Sequence, residues 1–427
     1  MPSPNLTKIA GTWVQPLLYA SGNFGKSAVL ATFDTVLFFY LTALCGISLS
    51  AAGVIIMTAL IWDGFGDLLI GYWADRTGRR DFFKILLMVG APVCGAAFAA
   101  LFYVAATEPG DQVIVIALLC WACRIGYTLC DVAHNSMLVN ISANERGASA
   151  SSGLRLMFSA AGTTAVGLAF KSSLSFPTVD TRQSAFATCA ALGGLAYTLT
   201  LLAATKVRDV GLISRGPARP FRFWHALKTL FATVAYRKLC FLIILQAGVT
   251  SLFMKGLPFV GLCFFQGAAW AGDAIVIVTI AQAATLPALI MLGRSGVTSR
   301  MILLSSHTLT AFSMVALFLS TRHLPSLSLP ALLGIGIGLS GMNMTIWARL
   351  ALVVRERLVV RNGLHALPIG LFLAVLKCAS GLGTGILAFS LSWGQSFDID
   401  QPSIVLMVAI AAPFASSLGC IMLARYD

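Results

Sequence analysis

Twelve stretches of this 427-residue chain are apolar for long enough to cross a bilayer as helices. At 1.5 Å per residue, a hydrocarbon layer roughly 30 Å thick needs about 20 such residues. The runs lie near 25–46, 50–73, 83–106, 112–139, 153–174, 184–205, 239–265, 274–293, 301–320, 328–353, 365–391 and 402–424. They are continuous and do not alternate, which selects helices over barrel strands. Composition agrees: 58% of residues are hydrophobic, 11% are charged and the mean hydropathy is +0.87. A soluble domain carries about 25% charged residues. An ordinary soluble enzyme, a disordered chain and a disulfide scaffold are excluded.

The same chain carries 29 Lys and Arg against 16 Asp and Glu, a net charge of +13. Sorting these along the spans explains the excess. With both termini placed in the cytoplasm, the cytoplasmic segments total +15, the outer loops −3 and the spans +1. Inner loops rich in Lys and Arg are the usual mark of orientation. The positive balance therefore predicts an integral protein of the cytoplasmic (inner) membrane and gives no support to nucleic-acid binding.

The longest loop, Lys206 to Lys238, carries eight Lys or Arg, two prolines and an amphipathic patch at Phe223, Trp224 and Leu227. It reads as a basic linker that fixes topology; a helix along the inner headgroups is the alternative. It divides the chain into residues 1–205, the linker 206–238 and residues 239–427. Six spans on either side predict two pseudo-symmetric halves with a substrate site between them. The ten cysteines all fall in spans, and Cys120 with Cys123 lacks the context of a redox or zinc motif. Gly334, Gly336, Gly338 and Gly341, and Gly381, Gly383 and Gly385, predict close-packing helix faces.

Ionisable groups at mid-bilayer cost about 2.5–3.5 kcal/mol each on insertion scales, so they face water, pair, or handle ions. Asp63 and Asp67 are four residues apart in the second span and share a helix face. Asp131 lies in the fourth span, just after Tyr127 and Thr128. Three carboxylates at similar depth need a cation or a shared proton, which suits a coupling-ion site. The alternative is a latch, with Asp63 or Asp67 paired to Arg124 or Arg155. Arg155, at the start of the fifth span, either snorkels to the interface or offers a bidentate donor. Lys377 sits deep in the eleventh span and needs a partner or a cavity. Lys255 and Arg349 read as anchors nearer span ends. Asp34 is isolated in the first span, a substrate acceptor or a partner for Lys377. Trp347 in the tenth span offers a stacking plane. His134 reads as a satisfied polar residue, with a place on a proton path as the alternative.

The run Ile61-Trp62-Asp63-Gly64-Phe65-Gly66-Asp67, then Gly71-Tyr72 and Asp75-Arg76-Thr77, resembles a signature of the glycoside–pentoside–hexuronide cation symporters. This is the melibiose-carrier branch of the major facilitator superfamily. Tyr127-Thr128-Leu129-Cys130-Asp131, Glu145-Arg146, Arg155, Lys377 and the opening Asn23-Phe24-Gly25-Lys26 are similar to further family motifs. The likeness is dense over residues 20–170 and thin beyond. It implies an all-α membrane protein of twelve transmembrane helices with the major facilitator fold. It implies a Na⁺, Li⁺ or H⁺ site on Asp63, Asp67, Thr128 and Asp131, with the three aspartates as ligands if the ion is Na⁺. It also implies a sugar cavity lined by Asp131, Arg155 and Lys377, with Lys26, Tyr127 and Trp347 nearby. Three positions depart from the pattern. Ser27 stands where the family has a sugar-binding Asp, for which Asp34 is a candidate replacement. Asn135 stands where galactoside carriers have a Trp, and Gly66 where the cation site has an Asn.

The expectation is a cation-coupled (Na⁺ or H⁺) symporter of a sugar, glycoside or similar small polar solute, working by alternating access. Its partners would be a small-molecule substrate and the bilayer. It would act as a monomer, without nucleic acid and with no cofactor beyond the coupling ion. The rival is a proton-coupled exporter or carrier of an amphiphile, such as a drug-like molecule or a lysolipid. No catalytic set appears among the five histidines, so no enzyme is expected.

Overall fold

The computed structural model describes residues 6–77, 82–107, 112–141, 145–207, 223–265, 267–354, 366–397 and 399–425. Within them the chain is helical, with no β-strand among the described residues. The first helix, α1, spans Leu6–Ala31 and continues to Leu44 through π-helical turns at Thr32–Val36 and Tyr40–Leu44. Then follow α2 (Leu49–Thr77), α3 (Phe82–Thr107), α4 (Val113–Ile141), α5 (Glu145–Leu174) and α6 (Val179–Ala204). The short α7 (Phe223–Ala232) precedes α8 (Val234–Phe264), α9 (Trp270–Arg294), α10 (Ser299–Arg322), α11 (Ser328–Val353) and α12 (Ala366–Ser396). The last helix, α13, starts at Gln401–Leu406 and resumes at Ala412–Arg425 after a π turn.

Twelve long helices therefore stand where twelve spans were predicted. Eleven of them are both long and apolar enough to cross a membrane. The fifth, α5, falls short because Ser, Gly and Thr dilute its apolar stretch and Arg155 and Lys171 lie inside it. The first span needs correction. Its apolar window begins at Val14, eleven residues before the predicted start. Polar Asn23 disguised its beginning; Lys26, counted above with the cytoplasmic charges, lies well inside the span and is buried. Within the 206–238 loop, α7 is helical, with Leu230 and Ala226 packed into a core beneath α8 and Trp224 outermost. Residues 208–222 of that loop, and the side chains of Glu145 and Arg146, lie outside the described residues.

Helices α1 to α6 pack among themselves, as do α8 to α13. Two seams join the sets. The longer runs between α2 and α12. A side-chain carbon added at Gly64 would lie 2.9 Å from the Ala374 carbonyl oxygen, and one at Gly71 would lie 3.0 Å from that of Ala366. Only glycine lets these backbones approach so closely. At one end of the seam, Asp75 accepts from the Ala366 and Leu367 N–H groups, all at 2.9 Å, and so caps α12 from the other set of helices. The second seam lies at the opposite end. There α5 meets α9, the Lys171–Asp273 pair closes at 2.8 Å, and Phe38 and Phe39 of α1 pack on Phe259 of α8. Among the described residues, α4 and α11 make no extended contact.

Candidate functional site

The α2–α12 seam buries a knot of charge. Asp63 and Asp67, one turn apart on α2, are both fully enclosed. Across the seam, Lys377 of α12 places its Nζ 2.7 Å from Asp63 Oδ1, 2.5 Å from Asp67 Oδ2 and 3.4 Å from Asp131 Oδ2. One ammonium thus reaches three carboxylates from two helices of the first set. On α4, Arg124 donates to Asp63 Oδ2, and the Thr128 hydroxyl lies against Asp63 Oδ1. Arg124, Thr128 and Asp131 are spaced by four and three residues, which puts them on one face of α4. From α1, Lys26 pairs with Asp131 Oδ1 at 2.7 Å. Asn135 joins them, donating to Asp131 Oδ1 at 2.9 Å and accepting from Lys26 at 3.2 Å.

Three acids and three bases are therefore gathered at the meeting of α1, α2, α4 and α12. Left unpaired, six such charges would cost about 15–20 kcal/mol on insertion scales. Typical folding stabilities are about 5–15 kcal/mol, so mutual neutralisation is a condition of folding. The cluster is charge-balanced when every group is ionised. A charge added or removed by a ligand disturbs that balance, which is the property a coupling site needs.

A second ion pair, buried at its lysine and partly exposed at its acid, lies nearer the end where α5 meets α9. Asp34, on the first π turn of α1, pairs with Lys255 of α8 at 3.0 Å. Lys255 also donates to Ser251 at 2.6 Å and Ser380 at 3.0 Å. Two expectations are corrected here. The partner of Asp34 is Lys255, not Lys377; from α12 it is Ser380 that reaches Asp34, at 3.4 Å. Lys255 is no interfacial anchor; its side chain is completely buried. The spacing of Ser251 and Lys255, one turn apart in an apolar helix, was the signal available.

The profile of the family described as MFS/sugar transport protein matches residues 18–423. The chain belongs to that family. An uncharacterised symporter of Bacillus subtilis (strain 168) is 38% identical over 92 residues, which is 21% of this chain and 19% of that protein. An uncharacterised symporter of Synechocystis sp. is 35% identical over 89 residues, 21% of this chain and 16% of that one. The matched region spans less than a fifth of these curated relatives. Among solved structures, a D-xylose-proton symporter superposes with a TM-score of 0.67 at 16% identity, covering 96% of this chain and 97% of the other. A nucleoside transporter gives 0.66 at 14% identity, covering 96% and 99%. These likenesses establish the major facilitator fold. The family membership makes this an integral membrane protein of a transporter family, acting on a small molecule.

Within that family frame, the placement of each expected residue is clear. Asp63, Asp67, Thr128, Asp131, Lys26 and Lys377 come together. Tyr127 also joins, but its ring is sandwiched between cations, with Arg124 at 4.5 Å and Lys377 at 5.3 Å from its centre. Arg155 is half-buried and within electrostatic range of Asp131, Lys26 and Tyr19. Trp347 is not brought to the cluster: it packs edge-on against Phe372 at 5.4 Å. The three aspartates expected as ligands if the ion is Na⁺ are brought together. Asp63, Asp67 and Asp131 converge on the Lys377 ammonium.

The departures from the family pattern have local causes. A carbon added at Gly66 would sit 2.6 Å from the Thr128 methyl, so the Asn of the family pattern has no room. Ser27 hydrogen-bonds Ser159 of α5. Asn135, where a stacking ring was missed, instead bridges Lys26 and Asp131. His134 is a satisfied core residue on one nitrogen, 2.8 Å from the Tyr19 carbonyl, and its ring stacks on Tyr19.

Proposed function

We propose that this protein is a cation-coupled symporter of a sugar or similar small polar solute, embedded in the cytoplasmic membrane. Both termini and the 206–238 linker lie on the cytoplasmic side, and a single chain is the working unit. Residues 1–205 and 239–427 are the two moving halves. The observation that carries this reading is the balanced charge cluster astride them. Asp63, Asp67, Asp131, Lys26 and Arg124 come from one half, and Lys377 comes from the other. An ion that neutralises one carboxylate loosens its hold on Lys377 and so changes the fit of the halves. Both curated relatives are named as symporters, and a D-xylose-proton symporter stands among the structural neighbours; these support the same reading.

The solute sits beside the cluster. Asp131 accepts from its hydroxyls, and Lys26 and Arg155 donate to its oxygens. Polar contacts of this kind select a hydroxylated solute over an apolar one, because a buried donor or acceptor left unpaired costs about 1–3 kcal/mol. Ion and solute together must favour the closed state over the open one, since a ligand shifts an equilibrium only by its differential affinity. The halves then rock between the two ends. In the conformation seen, the halves touch along α2–α12 as well as at the α5–α9 end.

The test is uptake by reconstituted vesicles of a labelled panel of pentoses, hexoses and disaccharides under an imposed ion gradient. At least one sugar should accumulate above its equilibrium level, and Asp131→Asn should abolish that accumulation. The reading fails if folded wild-type protein moves no panel member, or if the gradient makes no difference to the level reached.

A further inference from the structure

We propose that a crevice in the first set of helices, between α1, α3, α5 and α6, holds one acyl chain of a phospholipid, with Arg182 at its end taking the lipid's phosphate. The crevice has a volume of about 340 Å³. It exists because the facing positions of α5 and α6 are small. Ala165 and Ala169 lie one turn apart on α5, and Gly193 and Ala196 lie one turn apart on α6; all four line the space. Helix α5 accordingly packs far more on α1 than on α6.

The lining admits only an apolar guest. It consists of Ala, Gly, Val, Leu and Phe, apart from Thr32 and Cys189. The Thr32 hydroxyl is spent on the Ala28 carbonyl at 2.8 Å, and the Cys189 thiol lies 3.8 Å from the Ser173 hydroxyl. Water needs about two to four polar partners and finds none there. Left unfilled, such a space forfeits dispersion contacts along every wall. The mouth faces the bilayer. Leu192 lines the crevice and is 63% exposed, and it heads an exposed stripe with Leu195 and Leu199 on the outer face of α6. The depth fits one chain. From Phe186 to Ala196 is about 15 Å of helix, half of the roughly 30 Å hydrocarbon layer.

The head of the lipid has a partner in line with that chain. Arg182 stands one turn before Phe186, on the same face of α6 and close to its start. Its Nε donates to the Phe176 carbonyl at 2.7 Å. That bond fixes the guanidinium at the rim and leaves the two terminal nitrogens, a fork that suits phosphate oxygens. Asp180, two positions earlier, falls on another face. The guest also has something to act on. Thr32 and Val36 line the crevice from the first π turn of α1. Asp34, between them, faces the other way and pairs with Lys255. A chain in the crevice thus braces from behind the turn that presents Asp34 to the second set of helices, whatever ion or solute is carried.

The test is photolabelling of the full-length chain in phosphatidylcholine vesicles. The probe is a phosphatidylcholine with a diazirine halfway along one acyl chain, and the labelled residues are mapped by peptide mass spectrometry. Label should reach Val36 and Phe102, which line the crevice and are buried from the surrounding lipid. Label confined to Leu192, Leu195 and Leu199 would overturn the proposal. That is also the outcome if a second copy of the chain covers the mouth. A carbon added at Gly193 meets only Phe98, at 3.5 Å, so a larger side chain there grows into the crevice. Gly193→Trp should lose the inner label and keep the outer one; inner label that persists in the folded variant contradicts the site. Should that variant fail to fold, the wild-type map decides by itself. A diacylglycerol probe with the same chains, lacking the phosphate, should label Val36 less than the phospholipid does. Equal labelling by the two would remove Arg182 from the site.

Discussion

Lys377 holds the cluster together at the scale of single residues, because it is the only one of the six charged groups supplied by α12. Removing one member of a buried ion pair leaves a stranded charge and costs about 3–5 kcal/mol. Lys377→Ala should therefore lower stability by about that amount, measured by thermal unfolding in detergent. Adding Asp67→Asn to Lys377→Ala should recover part of the loss, since the two residues form one network. Strictly additive losses would mean that they do not interact. At Gly66 the expected cause is steric. Gly66→Ala should destabilise by about 1–3 kcal/mol through overpacking against Thr128, read in the same assay; a neutral result would mean that α2 and α4 are not held this close. The acids of this site were legible in the sequence because charge in an apolar helix is conspicuous. Their partners were harder to read. Pairing across helices depends on how α1, α4 and α12 are rotated, and nothing in the local sequence states that. Arg124 was visible only as one of two latch candidates, although its spacing to Thr128 and Asp131 places all three on one face.

At the scale of elements, the α2–α12 seam depends on glycine and on one cap. Asp75 satisfies N–H groups at the start of α12 that have no partner within the helix. Asp75→Asn should weaken this by about 0.5–2 kcal/mol, the range for loss of a helix cap, and should loosen the halves at that end. Faster labelling of a cysteine placed at Ala366 would report the loosening; an unchanged rate would show that the cap does not hold the seam. The sequence motif containing Asp75 was recognisable as a family mark, but not as a tie between halves. Its partner is a backbone amide 291 positions away. The π turn carrying Asp34 was equally silent, because π turns leave no simple residue signature. The span count was legible throughout, since length and apolarity alone decide it. The start of the first span was displaced because Asn23 is a buried polar residue, which a hydropathy reading counts as exposed.

Over the whole molecule, the account requires the halves to part at the α5–α9 end during each cycle. Lys171 and Asp273 face each other there, both about half exposed. Replacing both with cysteine and bridging them with a short bifunctional thiol reagent should stop uptake, and cleaving the bridge should restore it. Full uptake with the bridge in place would show that this end does not open. The second seam was not legible in the sequence, because nothing local states that Lys171 of α5 and Asp273 of α9 face each other. The most direct test of coupling reverses the usual experiment. Vesicles holding the reconstituted protein and dyes sensitive to pH and to Na⁺ are loaded with a transported sugar and diluted into sugar-free medium at matched pH and Na⁺. Outflow of sugar should carry the coupling cation with it, turning the interior alkaline or lowering its Na⁺, with no response in Asp131→Asn. Sugar outflow with neither change would contradict cation-coupled transport through the buried cluster.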